Sequence, residues 1–170
     1  MDTNSVRFFK EQPLEKLSSQ ARLILAAWKL TNAENIGKVI RLAHNVGAIE
    51  VLFIKGKEEH RLSRIKKTAG FSFEQMSWKF LSEEEFIYDY LSRFLLTVLE
   101  TCDGATNIFT TPLSAGTILL AGSESYGIPG HIIKKSSARV FIPIQGDSKS
   151  LNIANALSVG AFEWLRQQLY

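Results

Sequence analysis

Five short, almost unbroken apolar runs limit what this chain can fold into: residues 22–30, 49–54, 95–100, 117–121 and 140–144. A run of that length with no alternating polar side suits a strand buried on both faces, the condition of a parallel sheet covered by helices. The stretches between the runs carry that covering. After a loop at residues 31–34, Asn35 reads as a helix cap, Ile36, Val39, Ile40 and Ala43 recur at helical spacing, and Gly47 closes the helix. Residues 57–68 read as a basic helix and residues 77–81 as a further short strand. Ser82 and Glu85 form a capping-box pattern that opens a helix to about Arg93. A brief helix follows Gly130, and residues 152–169 form the last helix. The expected fold class is therefore α/β: one domain over residues 1–170, a mostly parallel sheet flanked by helices, with residues 1–21 as an N-terminal arm or short helix.

Composition narrows the function classes. Of 170 residues, 45% are hydrophobic and 22% charged, which is enough for one substantial core. Twenty lysines and arginines against 17 acidic residues leave a net charge of +3, so a nucleic-acid partner would need the positive charge gathered on one face. The single cysteine, Cys102, excludes a disulfide framework within the chain and suits a reducing cytoplasm. No apolar h-region is visible near the N-terminus and no run of about 18 apolar residues occurs, so neither a signal peptide nor a membrane span is expected.

Several familiar sites are missing. No G-x-G-x-x-G follows the first strand, which weighs against a dinucleotide enzyme such as a dehydrogenase. Gly122 and Gly127 have the spacing of a phosphate loop, but Ile128 and Pro129 stand where a lysine and a hydroxyl residue are needed. Ser123 and Ser125 do not form a nucleophile elbow. His44, His60 and His131 lie far apart without metal-ligand spacing, and no metal is expected.

Three short constellations remain. Asn35-Ile36-Gly37-Lys38-Val39-Ile40-Arg41 places Gly37 and Arg41 four apart on one helix. Leu119 to Pro129 runs an apolar strand into the glycine-bounded loop Gly122-Ser123-Glu124-Ser125-Tyr126-Gly127, at the strand end where a parallel sheet keeps its ligand crevice. Ile142 to Leu157 passes from a strand through a polar loop into a helix, with Ser150 and Asn152 at the junction. Orphan amides at such a helix start can hold a polar ligand. Each constellation alone has a bland reading as a cap, a turn or a close-packed glycine.

Together and in this order, the three resemble the SpoU (TrmH) family of RNA 2′-O-ribose methyltransferases, of the SPOUT class. The matching positions are Asn35, Gly37, Arg41, Gly122, Ser123, Glu124, Gly127, Pro129, Ile142, Pro143, Gly146, Ser150, Leu151 and Asn152, and the resemblance covers residues 22–168. Ser125, Ile144 and the Ala154-Asn155 pair depart from the pattern without removing a polar group that the chemistry needs. The resemblance implies a SPOUT-type α/β fold with a C-terminal trefoil knot, S-adenosylmethionine as methyl donor, no metal, and a homodimer with its site near the interface. It assigns Arg41, Asn35, Glu124, Ser150 and Asn152 to catalysis. The donor pocket is expected to be built mostly from backbone at Leu120, Ala121, Gly122, Gly127, Ile142, Ile144, Leu151, Asn152 and Ala156.

A ribose hydroxyl becomes a useful nucleophile only when its proton is removed or its developing charge is stabilised. Guanidinium groups hold their proton tightly. Arg41 is therefore read as gripping RNA phosphate and steadying the developing alkoxide, with Glu124 taking the proton or orienting Arg41. Lys55, Lys57, Arg61, Arg64, Lys66 and Lys67 cluster within thirteen residues and are read, with Arg41, as RNA contacts. A second basic group is Lys134, Lys135 and Arg139. The last helix offers Ile153, Leu157, Phe162, Trp164, Leu165 and Leu169 either to a dimer partner or to its own sheet. The expected substrate is tRNA ahead of rRNA, because the short ends show no appended RNA-binding domain. A non-catalytic RNA-binding homologue is the competing class.

Overall fold

The computed structural model describes residues 4–12, 15–123, 125 and 127–170. The five apolar runs become strands, and two shorter strands join them: β1 (Arg22–Trp28), β2 (Glu50–Ile54), β3 (Trp78–Leu81), β4 (Leu95–Leu99), β5 (Thr106–Asn107), β6 (Gly116–Gly122) and β7 (Ala138–Phe141). They form one sheet in the order β3-β2-β1-β6-β4-β7-β5, and every strand pair in it is parallel. The helices are α1 (Ser5–Glu11), α2 (Ala33–Val46), α3 (Leu62–Ala69), α4 (Ser72–Gln75), α5 (Glu83–Glu85), α6 (Gly130–Ile133) and α7 (Ile153–Leu169).

The central strands are buried on both faces. Along β1, Leu23, Leu25 and Ala27 join the core that contains Ile36, Val39 and Ile40 of α2 and Leu157, Ala161 and Trp164 of α7. The alternate residues Ile24, Ala26 and Trp28 join the opposite core with Phe86, Tyr90, Ile128 and Ile132. Burying both sets favours this register strongly, since a one-residue slip would exchange the two faces.

Several boundaries differ from expectation. Strand β7 stops at Phe141, whereas residues 140–144 were expected to be extended in the sheet. Pro143 has no N–H for a ladder, so Ile142 and Ile144 leave the sheet and become free to line a cavity. Helix α2 starts earlier than expected, because Asn32 is its cap, accepting from Glu34 N at 2.8 Å. Asn35 is thereby moved inside the first turn and is buried. The basic helix runs over Leu62–Ala69 and not over residues 57–68, with Ile65 and Ala69 as its buried anchors. The capping box is made by Ser82 and Glu85, but after Glu85 the backbone widens into a π-helical turn, Phe86–Tyr90, and ends before Arg93. In that turn Phe86 and Tyr90 are both buried, and Tyr90 donates to Glu50 Oε2 at 2.9 Å.

The order of strands positions the site. From β1 the chain builds outward through β2 to β3, then crosses to start β4 on the other side, and β6 later fills the gap between β1 and β4. Ligands of open parallel sheets gather outside strand carboxyl ends at such a reversal.

Candidate active site

A cavity of about 280 Å³ opens there, at the carboxyl ends of β4, β6 and β7. Its walls are Leu99, Glu100 and Thr101 beyond β4, Ala121, Gly122, Ser123 and Gly127 beyond β6, and Phe141, Ile142 and Ile144 beyond β7. The loop Lys149 to Leu151 and the α7 residues Ile153 and Ala156 close the remaining side. Seven expected pocket residues, Ala121, Gly122, Gly127, Ile142, Ile144, Leu151 and Ala156, lie in this wall. Leu120 does not: it is fully buried in the sheet one residue before the wall begins. Asn152 is not in the wall either, although its two chain neighbours are.

The loop after β6 is folded back on itself. Gly127 N donates to Ser123 O at 2.9 Å, and Ser123 N donates to Trp28 O of the neighbouring strand at 3.2 Å. A Cβ on Gly122 would lie 2.5 Å from the Gly127 carbonyl carbon, and Gly127 itself has φ +57°. Both positions therefore need glycine. Glu124 and Tyr126 lie outside the described residues; their chain neighbours Ser123 and Gly127 bound the cavity.

Motifs far apart in sequence meet beside this cavity. Asn152 caps α7, its Oδ1 accepting from Ala154 N at 3.0 Å, while its Nδ2 donates to the buried Asn35 Oδ1 at 3.2 Å. Helices α2 and α7 pack against each other, which holds this pair in place. Gly37 has a packing role: a Cβ there would meet Ile65 O and Thr68 Cβ, each at 2.7 Å, so its absence lets α3 close on α2. Ser150 lines the cavity from the exposed loop.

Arg41 is not brought into the cavity wall. Its side chain is exposed, and among the described residues it forms no hydrogen bond or ion pair. The basic cluster is divided. Arg61 and Arg64 line a second, polar cleft of about 610 Å³ with Thr31, Asn32, Glu34 and His60. Lys66 instead pairs with Glu74 at 2.7 Å and lies over the Phe73 ring. Lys55, Lys57 and Lys67 are exposed. Arg139 is tied to Asp103 O at 3.2 Å. In α7, Ile153, Leu157 and Trp164 cover their own sheet, and Trp164 Nε1 donates to Ser114 O at 3.0 Å, whereas Phe162 is 51% exposed.

The sequence reading missed Glu100, Thr101, Ser123 and Lys149 as wall residues. Glu100 follows directly on an apolar strand, the position where a parallel sheet presents side chains to its crevice, and that signal was available. Cys102 lies just beyond, and burial pushes its thiol up, which makes it a poor nucleophile. Among the described residues no group of three or more potential metal ligands gathers, and no helix is long and apolar enough to cross a membrane.

The family model described as SpoU rRNA Methylase family matches residues 22–162. A 23S rRNA (guanosine-2′-O-)-methyltransferase of Haemophilus influenzae is 27% identical over 154 residues, covering 89% of this chain and 63% of the relative. This chain thus spans less than two thirds of that relative's length. A tRNA (cytidine(34)-2′-O)-methyltransferase of Aeromonas hydrophila is 31% identical over 148 residues, covering 80% of this chain and 88% of the relative. The crystal structure of an RNA 2′-O ribose methyltransferase superposes with a TM-score of 0.79 at 26% identity, covering 94% of this chain and 62% of the other. An AdoMet-bound rRNA methyltransferase of Sinorhizobium meliloti shares the fold, with a TM-score of 0.80 at 22% identity over 92% of this chain and 63% of the other.

Proposed function

The chain belongs to the SpoU rRNA methylase family, and from that premise we propose that it transfers a methyl group from S-adenosylmethionine to a ribose 2′-hydroxyl of RNA, with tRNA the preferred substrate. The observation that carries this reading is the Asn35–Asn152 bond, which gathers the first and third family motifs beside the cavity that the second motif bounds. The match to a tRNA (cytidine(34)-2′-O)-methyltransferase over 88% of its length favours tRNA over rRNA.

The cavity fits the donor. Leu99, Ile142, Ile144, Leu151 and Ala156 offer apolar surface to an adenine ring, and Gly122 leaves a backbone cradle that any Cβ would fill. When bound, S-adenosylmethionine supplies a methyl group on a positively charged sulfur, already a strong electrophile. The chain's own task is to align the acceptor, exclude water and manage one proton. Asn35 and Asn152, locked by their mutual bond and by the α7 cap, form a rigid polar edge at the transfer site. Ser150 extends that edge into the loop. Arg41, exposed and without a protein partner among the described residues, is free to hold an RNA phosphate with two parallel N–H bonds and to steady negative charge growing on the hydroxyl oxygen. Glu124 is the proton acceptor in this scheme.

The RNA strand is read as crossing the polar cleft of Arg61 and Arg64 and not the outer face of α3, since Lys66 is engaged by Glu74. The whole chain acts as one methyltransferase domain in the cytoplasm, with its C-terminal segment in the family's knot. It works as a homodimer through the exposed side of α7, where Phe162 and Tyr170 present unpartnered apolar surface.

Nucleoside mass spectrometry of tRNA and rRNA from cells with and without the gene tests the reading. The expected result is the loss of one 2′-O-methyl nucleoside from tRNA. Loss from rRNA alone would transfer the assignment to rRNA, and unchanged nucleosides in both would sink the proposal. Tight donor binding by a chain that transfers no methyl group would favour the non-catalytic homologue.

A further inference from the structure

Glu100 is a carboxylate in the cavity wall that the transfer chemistry leaves unused. It follows the last residue of β4, and its backbone N–H donates to Val140 O at 3.0 Å, so its position is set by the sheet. Its Oε1 accepts from Thr101 N at 3.0 Å. Its Oε2 is turned toward Gly127, lying 3.8 Å from where a Cβ would stand on that glycine. Among the described residues no lysine or arginine forms an ion pair with it. A half-buried anion with a spare oxygen at a ligand cavity calls for a ligand that donates hydrogen bonds.

Resting on the proposed function, we infer that Glu100 holds the ribose of the methyl donor, accepting from its vicinal 2′- and 3′-hydroxyls. Two neighbouring O–H donors match one carboxylate edge, as at the strand ends of dinucleotide-binding folds. The competing donor group is the α-ammonium of the methionine moiety, and the charges along the wall decide between them. The amino-acid end carries both a carboxylate and an ammonium, so it is the costliest part to desolvate and belongs at the cavity rim. Lys149, exposed on the loop that lines the cavity, has its Nζ donating to Gly146 O at 2.7 Å and is the cation that would meet an incoming carboxylate. Glu100 is half-buried against the turn at Gly127, so it would take the ribose, while the exposed Lys149 would take the amino-acid end.

The test is calorimetric binding, independent of turnover. S-adenosylmethionine and 5′-methylthioadenosine, which keeps the ribose but lacks the amino-acid end, are titrated into the wild-type chain and Glu100→Gln, together with 2′-deoxy-5′-methylthioadenosine. The variant is expected to lose about 10- to 100-fold in affinity for both S-adenosylmethionine and 5′-methylthioadenosine, as charge-assisted hydrogen bonds are worth in binding. It should also no longer distinguish the ribo from the 2′-deoxy probe. Unchanged 5′-methylthioadenosine binding, or a loss confined to S-adenosylmethionine, overturns the inference, the second result by moving Glu100 to the ammonium. If Glu100→Gln does not fold, the wild-type chain alone decides: it must prefer the ribo probe by about 10-fold or more, and equal binding overturns the inference. Failure of the wild-type chain to bind any probe would overturn the proposed function and this inference with it, whereas binding that ignores Glu100 overturns the inference alone.

Discussion

Asn35 and Asn152 stand 117 residues apart and meet through one hydrogen bond of 3.2 Å. An asparagine in a helix normally weakens it, because its side chain competes for backbone groups. Asn35 escapes that competition because Asn32 has taken the cap, leaving Asn35 buried with its amide oxygen directed to Asn152. Arg41, six residues on, contrasts with it in every respect, being exposed and without a protein partner among the described residues. Its replacement should therefore cost chemistry and not stability. Arg41→Lys keeps the charge but loses the planar fork. We expect kcat/KM for RNA methylation to fall about 100-fold or more, in the range of removing one charge-stabilising donor, with donor affinity and melting temperature unchanged. Near-full activity in steady-state methyl-transfer assays would remove Arg41 from the reacting centre.

At the scale of elements, the close contact of α2 with α3 rests on Gly37. Alanine would gain up to about 1 kcal/mol of helix propensity in principle. Its Cβ, however, would meet the Ile65 carbonyl oxygen at 2.7 Å and Ala69 N at 2.9 Å, and those backbone atoms can yield only by moving α3. The clash should win: Gly37→Ala is expected to be destabilising by about 1–3 kcal/mol in denaturant unfolding, as overpacking costs elsewhere. A neutral or stabilised variant would show that α3 is loosely held. Helix α7 carries a different clamp. Arg166 donates to both oxygens of the buried Glu163, at 2.9 and 2.8 Å, and Gln167 adds a bond at 2.7 Å. Those hydrogen bonds, the Arg166 pair foremost, hold the Glu163 carboxyl below its ordinary value of 4.5. A depressed folded-state value means stability that is present above the ordinary carboxylate range and is lost as pH falls through the folded value. Glu163→Gln should melt about 2–4 °C below the wild type at pH 7. The gap should narrow as pH falls below the ordinary carboxylate range and close below the folded-state value, and calorimetric scans at pH 7 and at acid pH check it. A gap that stays constant with pH would show that Glu163 is not stabilising as an anion.

At the scale of the whole molecule, the exposed surface of α7 is where a second copy is expected. Phe162 is 51% exposed and Tyr170 86%, while the opposite side of the helix is sealed against the sheet by Leu157, Ala161 and Trp164. Light scattering on the eluting protein should find twice the chain mass of 19.1 kDa for the wild type and a single chain for Phe162→Glu. A wild-type monomer, or a dimer indifferent to that change, would place any interface elsewhere.

The sequence by itself determined that the chain is α/β, where the six longer strands fall, and which three motifs match the family pattern. Those are local matters: strand burial needs a continuous apolar run, and a family pattern is a matter of spacing. It did not reveal β5, whose two residues, Thr106 and Asn107, carry no period and pair only because β7 is beside them. Nor did it reveal the strand order or the move of the α2 cap from Asn35 to Asn32. The tertiary structure decided these, because each depends on which strand ends and helix starts stand side by side, and contact between distant residues leaves no trace in the spacing of either.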